Sequence, residues 1–286
     1  MDNSQSITIT AKILGHICLL RPLNLAIGAF SVLIGAAIAG ELNQTAAVIS
    51  AILVVVSFNA GANAINDYCD FEVDKINRPR RPLVAGVVNR NVAKWIGIVL
   101  FAGGVLLALQ LNPGARLLAL LAALPVMLFY SPVLKGQPLL GNLAVAFILG
   151  LTFLFAGAAV GNPGPLVVPA LLAFGLTLVR ELVKDIADIE GDARADLNTF
   201  PLLVGLEPAI VVAINLAFLV AAGTLLPFIL GHYGIYYLLI ATAGVIAPLF
   251  YLIYLFTKKP EAGTAVFGAR MLKFATIAGV LAIYFG

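Results

Sequence analysis

The sequence predicts an all-α, polytopic membrane protein with nine transmembrane helices, and three observations carry that prediction. Of 286 residues, 62% are hydrophobic and only 11% charged, less than half of the roughly 25% charge that a soluble domain carries. The mean hydropathy is +1.05. Charge-free runs recur along the whole chain, each long enough for the roughly 20 apolar residues that cross a bilayer as a helix. No alternation of period two persists over barrel-strand lengths, so strands are not expected. The composition excludes secreted, disordered, fibrous and nucleic-acid-binding classes. Two cysteines, Cys18 and Cys69, provide neither a disulfide framework nor zinc-ligand spacing. Met1–Thr10 is polar and does not read as a cleavable signal peptide.

The spans follow in order. Pro22–Gly40, Leu42–Asn66, Trp95–Ala115 and Leu117–Leu134 hold one helix each. Gly136–Val179 and Pro208–Thr257 hold two each, divided at Asn162-Pro163-Gly164-Pro165 and at Gly231-His232-Tyr233-Gly234, where Pro and Gly stop helices. Ala265–Phe285 supplies the ninth, with Arg270 and Lys273 near its start, where long side chains snorkel to the interface. Residues 1–286 read as a single transmembrane domain. If the N-terminus and the even-numbered loops share one side, that side holds 16 of the 17 Lys and Arg, and only Arg116 lies opposite. The positive-inside rule then puts the N-terminus in the cytoplasm and the C-terminus outside the cell membrane.

The acidic residues carry the functional signal. Ten of the 14 Asp and Glu lie in Asp67–Asp74 and Glu181–Asp196. Asp67-Tyr-Cys-Asp70-Phe-Glu72-Val-Asp74 and Asp185-Ile-Ala-Asp188-Ile-Glu190-Gly-Asp192 share the pattern D-x-x-D-x-E-x-D, and each ends a helix on the cytoplasmic side. They read as two halves of one site. Helical spacing places Asn63, Asn66, Asp67, Asp70 and Asp74 within an arc of about 100°, and Glu181, Asp185, Asp188 and Asp192 within about 60°. Glu72 and Glu190 point away from both arcs and are expected to be solvated or paired with Lys75 and Lys184. Carboxylates on one face beside a membrane repel one another and are costly unless a cation neutralises them. An oxygen-only donor set selects a hard cation such as Mg²⁺, which keeps waters and shares its shell with substrate phosphates. An EF-hand is excluded, since its glycine at loop position six and glutamate at twelve are missing. Lys75-Ile-Asn-Arg78-Pro-Arg80-Arg81-Pro82 follows the first motif, and Tyr130-Ser-Pro-Val-Leu-Lys135 forms a short loop on the same side. Together these elements would surround a metal-bridged diphosphate with positive charge and hydroxyl donors.

These residues resemble the UbiA superfamily of intramembrane prenyltransferases. Asn66-x3-Asp70-x3-Asp74, with Asn77-Arg78-Pro79-x-Arg81-Pro82 after it, resembles the first Asp-rich motif. Lys184-Asp185-Ile-Ala-Asp188-Ile-Glu-Gly-Asp192, followed by Asn198-Thr199-Phe200-Pro201, resembles the second, and Arg21-Pro22-x-Asn24 the N-terminal signature. Ala195-Asp196-Leu197 departs from the glycine and basic residue that relatives carry ahead of Thr-Leu-Pro. Gly141–Ala146 and Thr152–Gly157 further resemble the digeranylgeranylglyceryl phosphate synthases.

The resemblance implies a UbiA-type bundle and Mg²⁺-dependent alkyl transfer from an allylic prenyl diphosphate, geranylgeranyl diphosphate, to a lipid-like acceptor. By that resemblance Asn66, Asp70, Asp74, Asp188 and Asp192 hold Mg²⁺, with Asp67 and Asp185 in support. Lys135, Arg78 and the Tyr130 hydroxyl act on the departing diphosphate. If the acceptor is geranylgeranylglyceryl phosphate, Arg21 and Arg81 are candidates for its phosphate, with Asn24, Ser131 and Asn63 as polar neighbours. An aromatic acceptor, attacked at carbon, stays open on the sequence, as does a cation-coupled transporter, although the charge-free runs leave no ionisable relay at the midplane.

Overall fold

A computed structural model describes residues 8–286. Most of Met1–Thr10 and the side chain of Asn77, both invoked above, lie outside the described residues. The described chain is helical throughout. It runs through α1 (Ile9–Leu20), α2 (Pro22–Ile38), α3 (Thr45–Cys69), α4 (Phe71–Asn77), α5 (Arg90–Ala108), α6 (Pro113–Leu134) and α7 (Leu140–Ala159). It continues through α8 (Val167–Ala187), α9 (Ile189–Arg194), α10 (Phe200–Val204), α11 (Leu206–Ile229), α12 (Ile235–Lys258) and α13 (Ala262–Phe285). Eight helices are individually long and apolar enough to cross a membrane, and the bent pair α1–α2 makes up to nine.

The first span departs from its expected form. Instead of one isolated helix over Pro22–Gly40, α1 precedes α2 at an angle of 43°. Pro22 opens α2, where its missing N–H and fixed φ suit the first helical position. Arg21 at the break takes the left-handed conformation, φ 56°, which side-chain-bearing residues adopt only when neighbouring contacts hold them. Its guanidinium is held by Asn63 at 3.1 Å and Asp67 at 2.5 Å. The helices that the sequence runs through Asp74 and Asp192 instead bend at Asp70 and Asp188 and go on as the short helices α4 and α9, while α10 starts afresh with the Thr199 carbonyl accepting from the Leu202 and Leu203 N–H groups.

Side-chain caps start three of the helices, one of them at Asn112, inside the stretch Trp95–Ala115 that the sequence reads as a single span. Thr8 accepts from the Ala11 N–H, Asn89 from Asn91 and Asn112 from Ala115, satisfying amides that an isolated helix leaves open. The split between α7 and α8 falls at Asn162–Pro165 and that between α11 and α12 at Gly231–Gly234, as the sequence indicates. Two wide π-helical turns interrupt α6, at Leu118–Ala123 and Tyr130–Leu134. The second carries Tyr130 and Ser131 at the end of the span.

The bundle has two packed halves. Val32, Val54, Phe58, Phe101, Ala115 and Phe155 belong to a core among α2, α3, α5, α6 and α7. Val179, Leu182, Ile186, Ala213, Leu249 and Leu272 belong to another among α8, α11, α12 and α13. The first motif therefore sits on one half and the second on the other, and the α7–α8 contact joins them. Small residues permit the close crossings that hold helices together in lipid. A Cβ added at Gly150 of α7 would stand 2.7 Å from the Ala170 carbonyl oxygen of α8, so the backbones would have to separate. Gly150→Val is expected to destabilise the purified protein by about 1–3 kcal/mol, read as a lower melting temperature in detergent.

Candidate active site

Each acidic motif has the same local architecture. α3 ends where Asp70 leaves helical geometry (φ −78°, ψ 5°), and α8 ends where Asp188 does the same (φ −95°, ψ 6°). The Asp70 N–H still donates to the Asn66 carbonyl at 2.8 Å, and Asp188 to Lys184 at 2.9 Å. Asp74 and Asp192 then close the next turn onto Asp70 and Asp188 at 2.8 and 2.9 Å. The D-x-x-D-x-E-x-D repeat thus encodes a repeated bend, at its second aspartate in both copies.

The first motif is largely dry. Asp67, Asp70 and Asp74 are 3%, 7% and 5% exposed, and each carboxylate has a cation. Arg81 bridges Asp67 at 2.8 Å and Asp74, and Arg21 adds a second contact to Asp67. Lys135, carried just beyond α6, pairs with Asp70, which also accepts from Asn66 Nδ2 at 2.8 Å. Ser131 Oγ donates to Asn66 Oδ1 at 3.2 Å. Asn63 Nδ2 donates to the Leu20 carbonyl at 3.0 Å and so fastens α1 to α3. Arg21 and Arg81, candidates for an acceptor phosphate on the sequence, are engaged by buried aspartates. Asn24 is exposed on the first turn of α2.

The second motif faces the first across the bundle. Arg78, four residues past Asp74, reaches across to within 3.8 Å of Asp188. Asp185 accepts from Asn142 Nδ2 of α7 at 2.7 Å. Tyr130 stands in the electrostatic field of Lys184, Glu181, Asp185 and Asp70, hence between the two motifs. Glu72 pairs with Lys75 at 2.8 Å, as expected. Glu190 pairs with Arg194 at 3.9 Å rather than with Lys184, because Lys184 folds back onto Glu181 at 3.0 Å.

The electrostatics call for a cation. Burial pushes the Asp74 carboxyl up from its ordinary range, with Arg81 pulling the other way. Burial also raises Asp192, and the neighbouring Asp188 raises it further. Among the described residues no group of three Asp, Glu, His or Cys closes into a metal cage. The donors instead come as pairs of hard oxygens, Asn66 with Asp70 and Asp188 with Asp192, on facing helix ends. That set fits a divalent ion that completes its shell with phosphate oxygens and water.

Two participants escaped the sequence reading as site residues, Asn142 and Arg180. Asn142 was visible as a lone amide at the start of an apolar helix, and Arg180 as the cation next to Glu181, which the sequence already places on the acidic arc.

The UbiA prenyltransferase family matches residues 28–277. The chain is 41% identical over 266 residues to the digeranylgeranylglyceryl phosphate synthase of Methanopyrus kandleri, covering 92% of this chain and 96% of that one. It is 38% identical over 267 residues to the protein of the same name from Thermococcus kodakarensis, covering 93% of each. A solved structure concerned with digeranylgeranylglyceryl phosphate synthase in membranes aligns with a TM-score of 0.78 at 29% identity, over 96% of this chain and 98% of that one. A UbiA homolog from Archaeoglobus fulgidus, bound to GPP and Mg²⁺, shares the fold with a TM-score of 0.64 at 19% identity, over 94% of this chain and 99% of that one. With the facing acidic motifs and an all-helical membrane bundle, these likenesses over nearly the full length mean that the chain belongs to the UbiA prenyltransferase family.

Proposed function

We infer that this multi-pass membrane prenyltransferase transfers a geranylgeranyl group from geranylgeranyl diphosphate to geranylgeranylglyceryl phosphate, forming an ether in archaeal-type membrane lipid synthesis. The observation that carries the reading is the 41% identity to a digeranylgeranylglyceryl phosphate synthase over 96% of its length. The bundle supports it, since both substrates are amphiphiles whose chains lie in lipid while their phosphates need cations.

Asn66, Asp70, Asp74, Asp188 and Asp192 would hold Mg²⁺, with Asp67 and Asp185 in support. When bound, the ion would supply positive charge that neutralises the charge growing as the diphosphate leaves. Lys135, Arg78 and the Tyr130 hydroxyl would add donors to the same oxygens, which matter most where charge develops. Departure breaks the bond between the allylic carbon and the diphosphate oxygen. The acceptor's glycerol hydroxyl oxygen then bonds to that carbon and its proton is released. Apolar walls from the surrounding helices would keep water from the allylic cation meanwhile, and contact between donor and acceptor would supply much of the remaining acceleration. The bias of basic residues supports a cytoplasmic N-terminus and acidic site, with the C-terminus outside.

The test uses the full chain in detergent with radiolabelled geranylgeranyl diphosphate, Mg²⁺ and either geranylgeranylglyceryl phosphate or 4-hydroxybenzoate. An ether-lipid product is expected that disappears with EDTA and returns with excess Mg²⁺. Product with the aromatic acid alone overturns the acceptor, and cation flux in liposomes without turnover overturns the enzyme reading.

A further inference from the structure

Arg180 and Glu181 lie on α8 one turn before the second motif, which opens at Lys184, and the reaction as derived above uses none of the three. Arg180 Nη1 donates to Glu181 at 2.9 Å and Lys184 Nζ donates to the other Glu181 oxygen at 3.0 Å. Two cations thus share one carboxylate. Arg180 Nε is buried with no hydrogen-bond partner among the described residues. An unpaired buried donor on a charged group is costly unless a ligand completes it.

The placement says which ligand. Arg180 and Lys184 are four residues apart on the last turns of α8, about 6 Å along its axis, and Asp188 follows at the bend that ends the helix. Lys184 lies in the electrostatic field of Tyr130, Asp185 and Asp192, which puts it beside the reacting centre. Leu176 and Thr177 precede Arg180 by four and three residues and therefore share its side of α8. Both line a narrow, mostly apolar cavity that runs between α2, α8, α12 and α13, with Ile27, Ser31 and Gly279 among its other walls. The arrangement is a cation pair one to two turns along α8 from an apolar cavity, complementary to an anionic headgroup.

We propose that Arg180 and Lys184 bind the phosphate of the acceptor lipid, and that Glu181 holds the two cations in register. This rests on the reading that the acceptor is geranylgeranylglyceryl phosphate. It also resolves a difficulty, since the buried aspartates of the first motif already occupy Arg21 and Arg81. The acceptor phosphate is separated from the reacting hydroxyl by only a few bonds, so its subsite must lie within about one or two helical turns of the motif, as Lys184 does.

The experiment measures steady-state turnover of wild type, Arg180→Gln and Lys184→Gln with geranylgeranylglyceryl phosphate and with dephosphorylated geranylgeranylglycerol. Each variant should lose on the order of 10- to 100-fold in kcat/KM for the phosphorylated acceptor. The KM for geranylgeranyl diphosphate and the use of the neutral acceptor should match wild type. Equal losses on both acceptors, or a raised KM for the diphosphate instead, overturn the subsite and leave the overall reaction standing. Wild type that alkylates 4-hydroxybenzoate but not the glycerophosphate overturns the underlying reading, and the subsite with it. Melting with and without Mg²⁺ and geranylgeranyl diphosphate reports folding separately. Variants that keep the ligand-induced rise in melting temperature while losing the phosphorylated acceptor support the subsite, and variants that lose the rise overturn it.

Discussion

Asp188→Ala should abolish turnover while leaving the protein folded. Asp188 is 48% exposed in its side chain and among the described residues forms an ion pair only with Arg78, at 3.8 Å. An ion pair that open to solvent contributes about 0–1 kcal/mol, so the melting temperature should scarcely change. Its proposed role lies entirely in holding Mg²⁺ against the diphosphate, and loss of that interaction should lower turnover by about 10³-fold or more, some 4 kcal/mol of barrier. Asp70→Ala should lose activity to the same degree but is the less clean probe, because Lys135 is then left beside Asp70's vacated place with no partner. Asp188→Ala with turnover within a few-fold of wild type, measured at saturating Mg²⁺, would remove the second motif from the metal site.

Arg81→Ala should act in the opposite way, through the fold before the chemistry. The Arg81 guanidinium is 14% exposed and joins two aspartates that are almost fully buried. Without it Asp67 keeps Arg21, but Asp74 keeps no cation. Breaking a buried pair from one side costs about 3–5 kcal/mol, which corresponds to a drop in melting temperature of about 6–15 °C for a chain of this size. The pH dependence has a definite sign. Burial already raises the folded-state pKa of Asp74 above its ordinary value, and removing Arg81 raises it further. The folded state then binds more protons than the unfolded state, so stability falls as pH rises from the ordinary carboxylate range towards the raised value. The defect should therefore be smaller near pH 5 than near pH 8 in differential scanning of the purified variant. An Arg81→Ala protein with wild-type melting that loses only donor affinity would make Arg81 a substrate ligand instead of a clamp.

These contrasting expectations show what kind of information each level carries. The spans were legible because lipid imposes a length and a composition on every helix, and the breaks at Asn162–Pro165 and Gly231–Gly234 were legible because Pro and Gly end helices wherever they stand. The acidic motifs were legible for a related reason: carboxylates beside a membrane are too costly to occur ten at a time without a cation. Even their local form was implicit in the sequence, since two copies of one pattern produced the same bend at Asp70 and at Asp188.

Pairing was a different matter. Nothing in the spacing of Arg81 says that it bridges Asp67 and Asp74 rather than meeting a substrate, because that choice depends on how the chain after α4 folds back over α3. Likewise Lys184 could have reached Glu190 or Glu181, and the helix settled it by placing Glu181 three residues away on the buried side. Asn142 and Asp185 are 43 residues apart and meet only because Gly150 lets α7 and α8 approach. The sequence by itself determined the solvent, the number of apolar segments and the chemistry concentrated at their ends, since these follow from composition and local periodicity. Only the tertiary structure decided which cation belongs to which carboxylate, because at a helix end several partners lie within reach and packing between helices selects among them.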